Sequence, residues 1–121
     1  METHNSIALA FLGDCVYGLL VRKRLLTEGH RYSKLHELSV KKVRASYQAA
    51  AVKRIEPLLT EDELAVLKRG RNAKASVPKS ATVGEYRLAT GLEALFGWLE
   101  LRGESTRIEE LFEIIYNPPE P

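Results

Sequence analysis

An isolated acidic residue lies within an apolar stretch near the start of the chain. Residues 7–21 are apolar or small, with the single exception of Asp14. Burying an ionised carboxylate is costly unless another group compensates its charge. Helical spacing places five residues on the same side of the helix as Asp14, and none of them is a cation. They are Ile7, Ala10, Phe11, Tyr17 and Gly18. Asp14 is therefore either a structural acid held by hydrogen bonds or a group that meets a distant basic residue, a metal ion, a helix N-terminus or water.

A second apolar stretch shows the same pattern. Between Arg87 and Glu100 the chain is apolar or small apart from the hydroxyl of Thr90 and the carboxylate of Glu93. Both stretches contain glycines, which let two helix backbones approach closely because glycine lacks a Cβ atom: Gly13, Gly18, Gly91 and Gly97. We therefore expect the two helices to pack together with their acids facing each other. Paired carboxylates in an apolar setting suit a hard divalent cation, which favours a metal site over two structural acids.

The length and composition indicate one globular domain over residues 1–121. Apolar residues make up 45% of the 121 residues, which is enough for a single core. Cys15 is the only cysteine, which excludes an internal disulfide and a zinc site built from cysteines, and we expect it to be a buried thiol. The start of the chain lacks a targeting pattern, and residues 7–21 are too short for a membrane span. We expect a cytoplasmic protein without membrane contact.

The charges are distributed unevenly although the formal net charge is only +2. Residues 22–54 contain ten lysines and arginines but two glutamates, whereas residues 104–121 contain five glutamates and one arginine. A basic middle segment is typical of contact with a polyanion. The acidic end is typical of a solvated outer helix.

Capping patterns divide the chain into helices. We predict helices over about 6–26, 39–56, 61–74, 83–103 and 106–117, with a short helical turn from about residue 33. The candidate N-terminal caps are Thr3, Asn5, Ser6, Ser39, Thr60, Thr82 and Thr106. No segment alternates polar and apolar residues as a strand does. The predicted fold class is all-α, a compact bundle of about five to seven helices, with 117–121 as a loose tail.

The predicted helix over 39–56 has one apolar stripe. The residues assigned to that stripe are Val40, Val43, Tyr47, Ala50 or Ala51, and Ile55. The residues assigned to the opposite, solvated face are Lys41, Lys42, Arg44, Gln48 and Lys53. This second face is either a solvated surface without a partner or a surface that contacts a polyanion.

A cluster of cations around a glycine is the best nucleic-acid candidate. Residues 68–74 contain Lys68, Arg69, Arg71 and Lys74 without any acid. Cations at the end of a helix suit phosphate contacts, and the neighbouring Asn72 could donate a hydrogen bond to a ribose hydroxyl. Alternatively, Arg71 has a structural role, in which it caps its helix or pairs with Glu85.

The two acidic motifs resemble those of a known nuclease family. Phe-Leu-Gly-Asp at 11–14, followed by a small and an apolar residue, resembles the signature helix of ribonuclease III. Leu-Glu-Ala-Leu-Phe-Gly at 92–97 resembles the second acidic motif of that family, and Leu35-His36 and 45–49 also resemble it. The segment 68–74 resembles one branch, the Mini-ribonuclease III proteins. These consist of the nuclease domain alone, without a double-stranded-RNA-binding domain.

The departures from the family pattern concern its acids. Full-length ribonuclease III proteins have further acids at the positions of Ile7, Ala10 and Thr90. Only Asp14 and Glu93 therefore remain as metal-site carboxylates. Mini-ribonuclease III proteins also have this reduced set of carboxylates, which agrees with the resemblance to that branch.

The resemblance implies an Mg²⁺-dependent endoribonuclease that acts on double-stranded RNA. It implies that Asp14 and Glu93 bind the ion, that cleavage leaves 5′-phosphate and 3′-hydroxyl ends, and that the protein works as a homodimer. The implied natural substrate is the precursor of 23S ribosomal RNA, which makes the pre-ribosome and ribosomal proteins candidate partners. Two alternatives are a catalytically inactive RNA-binding relative and a helical protein-interaction module without an RNA role.

Overall fold

The computed structural model describes residues 5–73 and 82–117. These residues form six α-helices and no strand, which confirms the all-α fold class. The helices are α1 (Ser6–Thr27), α2 (Leu35–Val43), α3 (Ala45–Ile55), α4 (Glu61–Asn72), α5 (Val83–Leu101) and α6 (Ser105–Tyr116), and short 3₁₀ turns precede α2 and follow α3. The candidate cap Thr3, Lys74 and the tail from 118 lie outside the described residues.

Local sequence explains most of the helix ends. The Asn5 side chain accepts a hydrogen bond from the Ile7 amide and begins α1, and Gly29 follows its end at φ 77°, where an L side chain is strained. Thr60 and Glu63 form the predicted capping box of α4. Thr82 accepts from the amide of Glu85 at the start of α5. The prediction that Thr106 caps α6 was wrong, because this helix already begins at Ser105 and its cap position has no side-chain hydrogen bond.

Helix α5 is the central element of the fold, with α1, α3, α4 and α6 packed around it. It contributes the largest share of the fully buried side chains, among them Leu92, Leu95, Phe96 and Leu99. The ring of Tyr17 in α1 packs edge-on against Phe96, with 5.9 Å between ring centroids. An apolar, glycine-containing helix such as α5 is suited to this position because it is covered on several sides.

The predicted helix over 39–56 is broken into α2 and α3 at Arg44. Arg44 has an extended backbone (ψ 153°) and is both the C-cap residue of α2 and the N-cap residue of α3. Ser39 therefore does not start a helix; it is buried within α2, where its hydroxyl donates to the His36 carbonyl. The break shifts the phase of the apolar stripe, so that Gln48 is buried and Val40 is exposed, the reverse of the prediction.

The prediction that Cys15 is a buried thiol was also wrong. Cys15 is exposed, and so is Asp14, beside the exposed ring of Phe11. The apolar stretch 7–21 supplies only one face of α1 to the core, through residues that include Leu9, Gly13, Tyr17 and Val21. Among the described helices, none is long and apolar enough to cross a membrane.

Candidate active site

Two glycines bring the acidic stretches of α1 and α5 into contact. A Cβ atom on Gly13 would overlap the main-chain carbonyl of Glu93, and one on Gly97 would overlap that of Leu9. The Gly13 and Gly97 backbones are themselves close, since the position of a Cβ on Gly13 is 2.9 Å from the Gly97 nitrogen. This crossing places Asp14, the residue after Gly13, beside the side chain of Glu93.

The other glycines have different roles. Gly91 faces α4, where a Cβ atom would lie 2.7 Å from the Leu67 carbonyl oxygen. Gly18 has no helix packed against it at this distance; the nearest group is the Arg22 guanidinium of its own helix, which donates to the Gly18 carbonyl at 3.1 Å. Only the pair formed by Gly13 and Gly97 therefore determines the spacing of the two acids.

Glu93 of α5 is half-buried, and its carboxyl group meets Asp14 of α1 and Gln48 of α3. Burial, and then the charge of Asp14, raise the pKa of the Glu93 carboxyl to about 8. The Gln48 amide opposes this shift in the pKa by donating a hydrogen bond from Nε2 to Glu93 Oε2 at 3.3 Å. The two carboxyl groups are therefore neighbours that repel each other when both are ionised, as expected of groups that share a cation.

A pocket of about 500 Å³ opens next to Glu93, between α2, α3 and α5. Its walls are mixed, with apolar groups, the Arg44 side chain at the helix break and the acid of Glu85; the residues are Val40, Val43, Arg44, Ala45, Ser46, Gln48, Glu85, Tyr86, Ala89 and Glu93. Asp14 is exposed and so remains reachable by a large substrate.

The donor set of this site consists of oxygen atoms. It comprises the carboxylates of Asp14 and Glu93; the side-chain nitrogen of Gln48 faces Glu93, and its buried side-chain oxygen has no hydrogen-bond partner among the described residues. No group of three or more His, Cys, Asp or Glu side chains is placed to hold a metal ion within 5–73 and 82–117. Mg²⁺ prefers oxygen ligands, keeps several waters and is often held by one or two carboxylates plus substrate phosphates, so these residues fit it.

The predicted RNA-binding residues lie at the end of α4. Lys68, Arg69 and Asn72 are exposed, and Arg71 is half-buried. This end of α4 packs on α5 at Gly91, two residues before Glu93. Arg71 donates to the Asn72 side chain at 3.3 Å, and no ion pair joins it to Glu85 among the described residues.

Gln48 is the site residue that sequence reasoning missed. A signal for it exists, because Gln48 precedes the buried residues Ala51, Val52 and Ile55 by three, four and seven positions. This spacing places a glutamine on the apolar face of α3. The signal is readable only once the break at Arg44 is known, since the phase of α2 does not continue into α3.

Comparison with known proteins identifies the family. Residues 7–104 match the model of the ribonuclease III domain. The chain is 48% identical to the Mini-ribonuclease 3 of Desulfitobacterium hafniense, over 90% of this chain and 70% of that protein, and 44% identical to that of a Thermoanaerobacter species, over 91% and 79%. The fold matches a crystal structure of a protein from Fusobacterium nucleatum with a TM-score of 0.88 and 34% identity, covering 95% of each chain. This chain belongs to the Mini-ribonuclease 3 branch of the ribonuclease III family and is an endoribonuclease.

Proposed function

We propose that this endoribonuclease cleaves double-stranded RNA with Mg²⁺ held by Asp14 and Glu93, and that its natural substrate is the precursor of 23S ribosomal RNA. The products are 5′-phosphate and 3′-hydroxyl ends. The observation that carries the proposal is the juxtaposition of these two carboxyl groups at the crossing of Gly13 and Gly97. The proposal includes a cytoplasmic location and the pre-ribosome, with its ribosomal proteins, as partner.

The two acids have different surroundings and therefore different tasks. Glu93 is held from inside the fold by the hydrogen bond from Gln48, so its orientation is fixed before substrate arrives. Asp14 is exposed, so a phosphodiester can reach its carboxylate directly. Bound Mg²⁺ would lower the pKa of a coordinated water and neutralise charge on the reacting phosphate. Both carboxylates must be ionised for this, which the cation favours by offsetting their repulsion.

The end of α4 is the proposed grip on the duplex. A-form RNA exposes phosphates and 2′-hydroxyls across a shallow minor groove, so recognition rests mainly on shape and charge. Lys68, Arg69 and Arg71 supply positive charge at the end of α4, which packs on α5 at Gly91, and Asn72 supplies an amide donor. Lys74 completes this proposed set from outside the described residues.

A homodimer is the proposed assembly, with α1 at its interface. The exposed face of α1 presents Phe11, 84% exposed, and the half or more exposed Leu19 and Leu26. Large apolar side chains aligned on one exposed helix face are typical of an interface, and a two-fold dimer buries the same face of both copies. Each subunit would then cut one strand of the duplex.

A cleavage assay tests the proposal. A long end-labelled RNA duplex is incubated with the protein, with Mg²⁺ and with EDTA, and the product ends are analysed chemically. We expect Mg²⁺-dependent cuts in the wild type, a rate lower by orders of magnitude in Asp14→Asn, and a normal rate in Glu100→Gln, which removes an exposed acid from the far end of α5. Salt-dependent RNA binding without any cleavage would support an inactive relative, and no RNA binding would support an interaction module.

A further inference from the structure

We infer that Gln48 is a positioning residue of the cation site: its carboxamide N–H orients the Glu93 carboxylate toward the cation. This inference rests on the proposed function, since it assumes that Asp14 and Glu93 hold the ion. It adds a third residue to the site, from helix α3, which contributes none of the acids.

The contacts of Gln48 are specific. The side chain is only 2% exposed, and its Nε2 atom donates to the Val43 carbonyl at 2.8 Å and to Glu93 Oε2 at 3.3 Å. Both neighbours accept hydrogen bonds, so the amide nitrogen must face them and the amide oxygen must point elsewhere. The orientation of the carboxamide is thereby determined by its partners.

The amide oxygen of Gln48 is left without a partner. Its Oε1 atom is fully buried and accepts no hydrogen bond from any described group. Buried polar atoms are nearly always paired, so an orphaned acceptor is costly. The carboxamide is therefore placed for the contacts of its nitrogen rather than of its oxygen. Gln48 lines the same pocket as Glu93.

A structural role explains only part of this arrangement. The break at Arg44 frees the Val43 carbonyl, and one N–H of Gln48 satisfies it, as a cap of helix α2 would. That role does not require the hydrogen bond from Gln48 to Glu93. Hydrogen bonds to ligating groups orient them toward the metal, and their loss typically weakens metal binding.

Three variants test the inference. Gln48→Met has a similar length and volume but makes no hydrogen bond to Glu93. Gln48→Asn keeps the amide but is one methylene shorter, and it serves if the methionine variant does not fold. Tyr32→Phe is the control, because it removes a hydroxyl from a residue that is 91% exposed in the turn before α2 and does not line this pocket.

The principal readout is binding of Mn²⁺, as a probe for Mg²⁺, to the RNA-free protein by calorimetry. We expect either Gln48 variant to bind Mn²⁺ about 10- to 100-fold more weakly than the wild type, with Tyr32→Phe unchanged. In cleavage, the Gln48 variants should need more Mg²⁺ and recover part of their rate at high Mg²⁺, while RNA affinity measured in Ca²⁺ stays constant.

The outcomes separate the inference from the proposed function. If a folded Gln48 variant binds Mn²⁺ like the wild type and needs no extra Mg²⁺, Gln48 is only a cap of α2 and the inference is wrong. If the wild type neither binds Mn²⁺ nor cleaves with Mg²⁺, the proposed function itself is wrong, and the inference falls with it.

Discussion

The backbone of Gly13 rests directly on the main-chain carbonyl of Glu93, with no room for a Cβ atom between them. This contact determines how closely α1 approaches α5, and it therefore sets the distance between Asp14 and Glu93. A glycine that costs helix propensity is retained where only glycine allows the two helices to meet. The geometry of the site thus depends on backbone packing before any side chain contributes to it.

Replacement of this glycine should separate the two helices. We predict that Gly13→Ala destabilises the fold by about 3 kcal/mol or more, because overpacking against a helix backbone outweighs the gain of about 1 kcal/mol in helix propensity. Gly84→Ala is the control, since Gly84 also lies in a helix but has no neighbour within 4 Å. It should gain up to about 1 kcal/mol. Thermal unfolding measures both, and equal behaviour of the two variants would contradict the close crossing.

Removal of the buried charge should stabilise the metal-free protein. In Glu93→Gln the introduced amide can still accept a hydrogen bond from Gln48, but it carries no charge to repel Asp14. Since the pKa of Glu93 is raised to about 8 in the fold, the wild type loses stability relative to the variant as the pH rises from about 4.5 to about 8, and no further above that. Unfolding in EDTA should show the variant at least about 1 kcal/mol more stable near pH 9 and equal near pH 4. A variant that is less stable than the wild type near pH 9 would show that Glu93 is a favourable charge.

The sequence predicted the pairing of the two acids because glycine and carboxylate each have a specific physical meaning in an apolar helix. Gly13 and Gly97 indicated a close crossing, and Asp14 and Glu93 lie next to it as expected. The exposure of Asp14 was not predictable in the same way. An apolar helix face has the same sequence pattern whether it packs inside one chain or against another molecule.

The break between α2 and α3 was missed for a different reason. Arg44 is neither glycine nor proline, so no local signal marks the break, and the Val43 carbonyl that it frees is satisfied by Gln48 from the next helix. This is a tertiary contact rather than a local preference. The burial of Gln48, and with it the third residue of the site, therefore required the structure.

The cations of α4 should contribute affinity without sequence preference. We predict that Arg71→Ala weakens RNA binding for all duplex sequences and lowers the salt slope by about 1, with the fold unchanged. The control is Arg102→Gln, at the C-terminal end of α5, which should leave both the RNA affinity and the salt slope unaltered. Binding across a salt series measures the slope. A normal slope combined with a lower melting temperature would make Arg71 structural, through its contact with Asn72.

The apolar face of α1 should hold two copies together. We predict that Phe11→Glu shifts the protein from dimer to monomer in sedimentation experiments at micromolar concentration, because a charge replaces a large apolar contact at the interface. Leu101→Glu alters an exposed leucine at the end of α5 and should remain dimeric. A wild type that sediments as an active monomer would refute the dimer.

The most direct test of the central claim is a double-mutant cycle on the two acids. Single-turnover cleavage of one RNA duplex is measured in saturating Mg²⁺ for the wild type, Asp14→Asn, Glu93→Gln and the double variant. If both carboxylates hold the same cation, each single change removes most of the rate, by orders of magnitude, and the double variant is hardly slower than either one. Near-normal cleavage in either single variant, or losses that multiply fully in the double variant, would contradict a shared cation.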